Sequence, residues 1–289
     1  MANILEVSNI SKVYKKNVFA LHDISFVVPQ GAIMGVVGEN GSGKTTTLGI
    51  ILGLRHQDFG TVRIFDRPYH MDDISMKEKI GVVFDGNYFP HSFTPREISK
   101  IFQRVYRSWD VAYFIDLLKK YDISEKQKVK NMSRGTQATL AILTALSQKP
   151  DLLILDEPTN GIDPMRREEI LELFLEFVSD GKKSIVFSSH ITSDLEKIAD
   201  YITIIHDGKL LASAEKDLFI YKYGVIRCNQ EVFDELCRKH KQEVLRYVKR
   251  DYQYRILVRD QSCLSLNDIV LENPTLEEAM YLLTRGENV

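Results

Sequence analysis

Residues 38–45 read GENGSGKT, which sets Gly38, Gly43, Lys44 and Thr45 in the spacing G-x-x-x-x-G-K-[ST]. A chain of phosphates carries several negative charges, so it needs many donors converging with no side chains in the way. Gly38, Gly41 and Gly43 allow backbone N–H groups to turn inward, with Asn40 and Ser42 between them and Thr46 just beyond. The helix that follows would add the positive end of its dipole. In this pattern Lys44 reaches toward the β- and γ-phosphates and the Thr45 hydroxyl holds Mg²⁺.

Two further segments end in groups suited to the same chemistry. In LLILDEP, four apolar residues precede Asp156 and Glu157. A buried strand ending in acids delivers carboxylates to the carboxyl edge of a sheet, where ligands of open α/β folds bind. Asp156 suits Mg²⁺ held through water, and Glu157 suits polarisation of an attacking water. In SIVFSSH the strand ends on His190, which brings an imidazole to that same edge as a γ-phosphate contact.

The elements that must position these groups follow from periodicity. GAIMGVV, DLLILDEP and KSIVFSSH are short apolar runs suited to buried strands. Helical patterns separate them at 96–107, 110–121, 135–148, 165–179 and 193–199. Such alternation predicts an α/β fold with a mostly parallel central sheet, and the opening strands of residues 4–37 add an antiparallel part. After residue 212 the character changes. YGVIRC predicts a strand, NQEVFDELCRKHK a helix, and EVLRYVKR with DYQYRILVRD two strands around a turn near Asp251. PTLEEAMYLLTRG closes as a helix with a capping box of Thr275 and Glu278. The expected division is therefore a domain of residues 1–212 and a small α/β appendage of residues 213–289.

Composition narrows the class. The 289 residues include 38 basic and 40 acidic side chains, a net charge of −2, with 44% hydrophobic and 27% charged residues. Near-neutrality argues against wholesale nucleic-acid binding. No stretch approaches the ~18 consecutive apolar residues of a membrane span, and the N-terminus lacks a signal-peptide core. Cys228, Cys237 and Cys263 have no metal-ligand spacing and read as reduced thiols, so a soluble cytoplasmic protein is expected.

Over residues 2–212 the order of these motifs resembles the nucleotide-binding subunit of ABC (ATP-binding cassette) transporters, a P-loop NTPase fold with an antiparallel β subdomain and a helical subdomain. MSRGTQATLAILTALSQKPDLLILDEPTNGIDP resembles the family's signature, acidic strand and following loop, and SSHITSDLEKIADYITIIHDG its switch-histidine region. The resemblance implies ATP and Mg²⁺ as cofactors and hydrolysis of ATP. It implies that Tyr14 stacks on adenine. It further implies that Ser133 and Gly135 bind the γ-phosphate of ATP held by a second ATPase subunit, with Asn160, Gly161 and Asp163 in the loop crossing that interface. The partners implied are this second subunit, identical or related, and an integral membrane permease on a separate chain, which would hold the protein at the cytoplasmic face of the membrane.

Two departures stand out. The signature reads Ser133-Arg134-Gly135-Thr136-Gln137, where the family usually has two glycines before the glutamine. After IGVVF the family commonly has a glutamine that touches Mg²⁺ and the attacking water, and here Asp85 stands there and is expected to face the metal. The segment of about 86–150 resembles the helical subdomain that docks the membrane chain. Its loop NYFPHSF is expected to form part of a groove for a short partner helix, and about half of its aromatic residues are expected to serve packing. Finer resemblance, in DEPTNGIDPMRR, SWDVAYF, YGVIRC and PTLEEAMYLLTRGE, is to bacterial efflux ATPases for peptides, antimicrobials and other amphiphiles, a range that includes phenol-soluble modulin exporters. The alternative class is a soluble ABC ATPase without a membrane partner. A single cassette and the lack of sustained heptads weigh against it.

Overall fold

A computed structural model describes residues 2–14, 18–70, 72–86, 89–251, 253–259 and 271–288. Tyr88 of the expected docking loop and Cys263 lie outside the described residues. By contacts the chain divides into two compact units, Met1–His190 with Tyr201–Ser213, and Ile191–Asp200 with Ala214–Val289.

In the first unit, β1 (Asn3–Tyr14) and β2 (Val18–Pro29) form an antiparallel pair, followed by β3 (Ile33–Val37) and α1 (Lys44–Ile51). Next come β4 (Phe59–Ile64), β5 (Arg67–Pro68), the short α2 (Ile74–Lys77) and β6 (Ile80–Val83). Three helices follow, α3 (Pro95–Val105), α4 (Val111–Lys120) and α5 (Arg134–Ser147). Then β7 (Leu152–Asp156), α6 (Pro164–Val178) and β8 (Ser184–Ser189) restore the alternation. Helix α7 (Thr192–Ile198) belongs to the second unit, and β9 (Tyr201–His206) and β10 (Lys209–Glu215) complete the large sheet.

That sheet has the order β5-β4-β1-β2-β10-β9-β3-β8-β7-β6. The half that carries the chemistry is parallel: β3 lies between β8 and β9, and β7 between β8 and β6. Every residue of β3, β7 and β8 is buried, as expected of strands covered on both faces. Each fully buried Leu or Ile in them contributes roughly 1.5–3 kcal/mol of transfer free energy. Register then fixes what meets at the carboxyl edge. Asp156 of β7 pairs with Ser188 of β8, and Val37 of β3 pairs with Ser189.

The five helices expected between residues 96 and 199 are present within one or two residues. Their starts have local causes. Thr94 accepts from the Glu97 N–H and Glu97 returns a bond to Thr94, with Pro95 at the first helical position. Asp110, Ser133 and Asp163 accept from the N–H groups of Tyr113, Thr136 and Arg166. Among the aromatics of this region, Trp109 is buried, packs on Phe102 and Phe114 and donates to Ser99 at 3.1 Å. Phe89 and Tyr106 also contact Phe102.

The second unit continues with α8 (Lys216–Lys222), β11 (Tyr223–Cys228), α9 (Gln230–Lys239), β12 (Val244–Arg250), β13 (Gln253–Arg259), β14 (Leu271–Glu272) and α10 (Leu276–Arg285). Its antiparallel sheet runs β12-β13-β11-β14 and encloses a core of Ile226, Leu236, Tyr254, Ile256 and Val258. Helix α8 was not expected from the sequence, since Phe219 is its only buried residue and leaves no apolar stripe to read. Thr275 caps α10 as expected, but the Glu278 carboxylate accepts from Arg227 at 3.1 Å. A cation in reach offers a carboxylate a stronger bond than a neutral N–H does.

Candidate functional site: a phosphate cavity at the sheet edge

Asn40, Gly41, Gly43, Lys44, Thr45, Thr46, Asp85, Asp156 and Glu157 line one cavity of about 450 Å³. The glycine loop enters it between β3 and α1. Gly41 and Gly43 have φ of +83° and +119°, a left-handed backbone that side chains disfavour. A Cβ on Gly38 would collide with the Ile205 carbonyl and the Ser42 side chain. The loop is therefore held tightly on one side and open on the other. The buried Ser42 hydroxyl lies on the closed side, against Gly38, and has no hydrogen-bond partner among the described residues.

Lys44 is 5% exposed, and its ammonium donates to the carbonyls of Gly38 at 2.7 Å and Glu39 at 3.3 Å. It also lies 3.2 Å from Glu157 Oε1, which has no other hydrogen-bond partner. The Thr45 hydroxyl donates to Asp156 Oδ2 at 2.7 Å, and the Ser188 hydroxyl donates to Asp156 Oδ1 at 2.5 Å. Glu157 sits just past β7 with φ of +50°, uncommon for a residue with a side chain. Its N–H donates to the carbonyl and the hydroxyl of Ser188, which pins that turn. His190 meets the same carboxylate: its backbone N–H donates to Glu157 Oε2 at 3.2 Å, and its Nδ1 lies 2.7 Å from that oxygen.

The sequence-derived residues thus fall into groups. Gly38 to Thr46, Asp156, Glu157 and His190 converge. Asp85 lines the cavity, and its Oδ1 accepts from Arg134 at 3.2 Å. Tyr14 is not among the lining residues; Arg55 donates to its hydroxyl at 2.8 Å. Ser133 and Gly135 start α5 and meet the loop of Asn160, Gly161 and Asp163: a Cβ on Gly135 would lie 2.8 Å from the Gly161 carbonyl. Asp163 is engaged as the cap of α6.

Two contributors were missed in the sequence. Ser188 bridges both acids, and the period of two along SSH, which puts it on the same face as His190, could have revealed it. Arg134 was noted only as a departure from a pattern, and its partner lies 49 residues away.

A glycine loop between a buried parallel strand and a helix, facing acids at the end of a second strand, defines a phosphate-loop NTPase. The pattern of the ABC transporter family matches residues 21–160. The chain is 32% identical over 207 residues to the ABC transporter ATP-binding protein YtrB of Bacillus subtilis (strain 168), covering 72% of this chain and 70% of that one. It is 33% identical over 213 residues to the bacitracin transport ATP-binding protein BcrA of Bacillus licheniformis, covering 73% and 69%. A solved structure of an ATP-binding subunit of an ABC transporter matches with a TM-score of 0.67 and 26% identity, covering 74% of this chain and 90% of that one. The chain belongs to the ABC transporter family, as an ATP-binding subunit, and is an ABC ATPase.

Proposed function

We propose that this chain binds and hydrolyses ATP in the cavity at the sheet edge to power export of peptides, antimicrobials or related amphiphiles through a separate membrane chain. The observation that carries the reading is the meeting of Lys44, Thr45, Asp156 and Glu157 in one cavity. Lys44, now shared among two carbonyls and Glu157, is the cation for the β- and γ-phosphates. Once Lys44 turns to phosphate, Glu157 keeps the support of His190 and is free to take a proton from the attacking water.

The oxygen donors suit Mg²⁺, which commonly takes one or two protein ligands with substrate phosphates. Thr45 and Asp156 would hold it, with Asp85 on the same wall, and when bound it would neutralise charge developing on the phosphates. His190 would contact the γ-phosphate, and Tyr14 the adenine.

Ser133 and Gly135, with the loop of Asn160 to Asp163, would complete the ATP site of a second subunit, identical or related. A lone chain would then hydrolyse slowly, because each site lacks part of its donors. Among the described residues no helix is long and apolar enough to cross a membrane, which fits a permease on another chain. A cavity of about 200 Å³, lined by apolar residues such as Phe84, Phe89 and Phe102 and by the polar Asp85, Thr144 and Gln148, would receive side chains from a short helix of that chain. Such docking would hold the protein peripherally at the inner face of the membrane. In this reading residues 1–212 are the motor, residues about 86–150 its docking subdomain, and residues 213–289 an accessory domain. The bacitracin transport relative supports an antimicrobial or peptide cargo.

The test is to purify the chain with its membrane partner in lipid vesicles and measure ATPase stimulation by bacitracin-like and amphipathic peptides. Stimulation of severalfold is expected. Failure of any membrane chain to co-purify, with ribosomes or DNA recovered instead, would overturn the export reading.

A further inference from the structure

Three carboxylates line the phosphate cavity, against one lysine. A fixed negative charge beside a polyphosphate repels it, so each acid needs a local partner for the cavity to accept its ligand. Asp156 has the hydroxyls of Thr45 and Ser188, and Glu157 has Lys44 and His190. Lys44 and Thr45 open α1, and Ser188 and His190 lie at the end of β8, the neighbour of β7.

Asp85 differs. Its partner is Arg134, 3.2 Å away, at the first position of α5, between Ser133 and Gly135. The side chains are 38% and 65% exposed, so the pair adds little to folding stability. Its place is more telling than its strength. Arg134 lies over Gly161, where an added Cβ would meet its Cδ at an ordinary contact distance of 3.5 Å; the left-handed φ of +79°, not space, is what favours glycine there. The guanidinium also holds a planar donor fork, which suits it to face a carboxylate.

We propose that Arg134 is a positioning residue of the nucleotide site in its own chain: by neutralising Asp85 it lets the cavity accept a polyphosphate. The same pair ties the start of α5 to the cavity wall, so the two departures from the family pattern, Asp85 and Arg134, compensate one another. The inference rests on the reading of the cavity as a nucleotide site.

The test is fluorescence titration of the full chain with mant-ATP, in EDTA so that no divalent ion substitutes for the arginine. At about 50 mM salt, Arg134→Ala should weaken binding about tenfold, shrinking to about twofold or less near 500 mM as screening shortens the reach of the exposed Asp85 charge. Asp85→Asn should bind as well as the parent or better, and the double variant Asp85→Asn/Arg134→Ala should return to within about twofold of it. That recovery separates charge from misfolding, because the double variant still carries the arginine lesion. A double variant as weak as Arg134→Ala, or an Arg134→Ala protein that binds like the parent at low salt, would overturn the proposal. Lys44→Ala distinguishes the two levels: if it binds mant-ATP as tightly as the parent, the nucleotide reading itself fails.

Discussion

The sheet edge of the first unit and residues 214–288 of the second handle polar groups in opposite ways. In the first, Lys44, Asp156 and Glu157 are each less than a tenth exposed and held by short polar contacts at strand ends. In the second, Asp194 of the α7 segment is buried as well, but over residues 214–288 the described buried side chains are aromatic and aliphatic, with Phe233 stacked on Tyr254 at 4.1 Å. The main ionic cluster there joins the partly exposed Arg227 to Glu272 and Glu278. Burying charge costs several kcal/mol per group unless it is paired, so a folded chain keeps such an arrangement where chemistry needs it. The contrast fits the proposal that ATP reacts at the sheet edge of the first unit, while residues 214–288 pack around an apolar cluster of their own.

The largest expected effect is at Lys44. Lys44→Ala should weaken ATP binding about a hundredfold, through loss of its charge-assisted bonds, as read by calorimetric titration. A variant that keeps its affinity would erase the distinction between the units. A smaller effect is expected for Ile256→Ala, which removes most of a fully buried side chain from the second unit's core. That unit should lose about 2–5 kcal/mol of stability while the ATP affinity stays within twofold. Trp109 is the single tryptophan and lies in the first unit, so urea curves followed by its emission and by far-UV CD should separate. Coincident curves shifted together would mean that the units do not unfold independently.

The smallest effect concerns the thiols. Burial, and then the neighbouring Cys237, push the Cys228 thiol from its ordinary 9.0 up to about 11. The raised value stabilises the folded state below pH 9, and that contribution fades as pH rises toward 11. At pH 8 iodoacetamide should label Cys228 much more slowly in the folded chain than in urea. Equal rates would show that the thiol is not buried.

What the sequence revealed followed the reach of its patterns. Gly38 to Thr46 lie side by side in the chain, and Asp156 and His190 each end an apolar run, so strand burial alone brought them to one edge. The register that pairs Asp156 with Ser188, and the ion pair of Asp85 with Arg134, depend on which strands and helices become neighbours, and no local pattern carries that. Glu278 was misjudged for a similar reason: its capping role was legible in TLEE, while its competitor Arg227 lies 51 residues earlier. Tyr14 was assigned by resemblance alone, and its bond to Arg55 could not be read from spacing.

Glu157 is the base proposed for ATP hydrolysis in this cavity. Its most direct test is Glu157→Gln, with ATP turnover and nucleotide retention measured on the same sample by chromatography in the presence of Mg²⁺. The expected result is turnover reduced by about a hundredfold or more, with ATP retained and the protein eluting as a dimer. Turnover close to that of the parent would contradict the account.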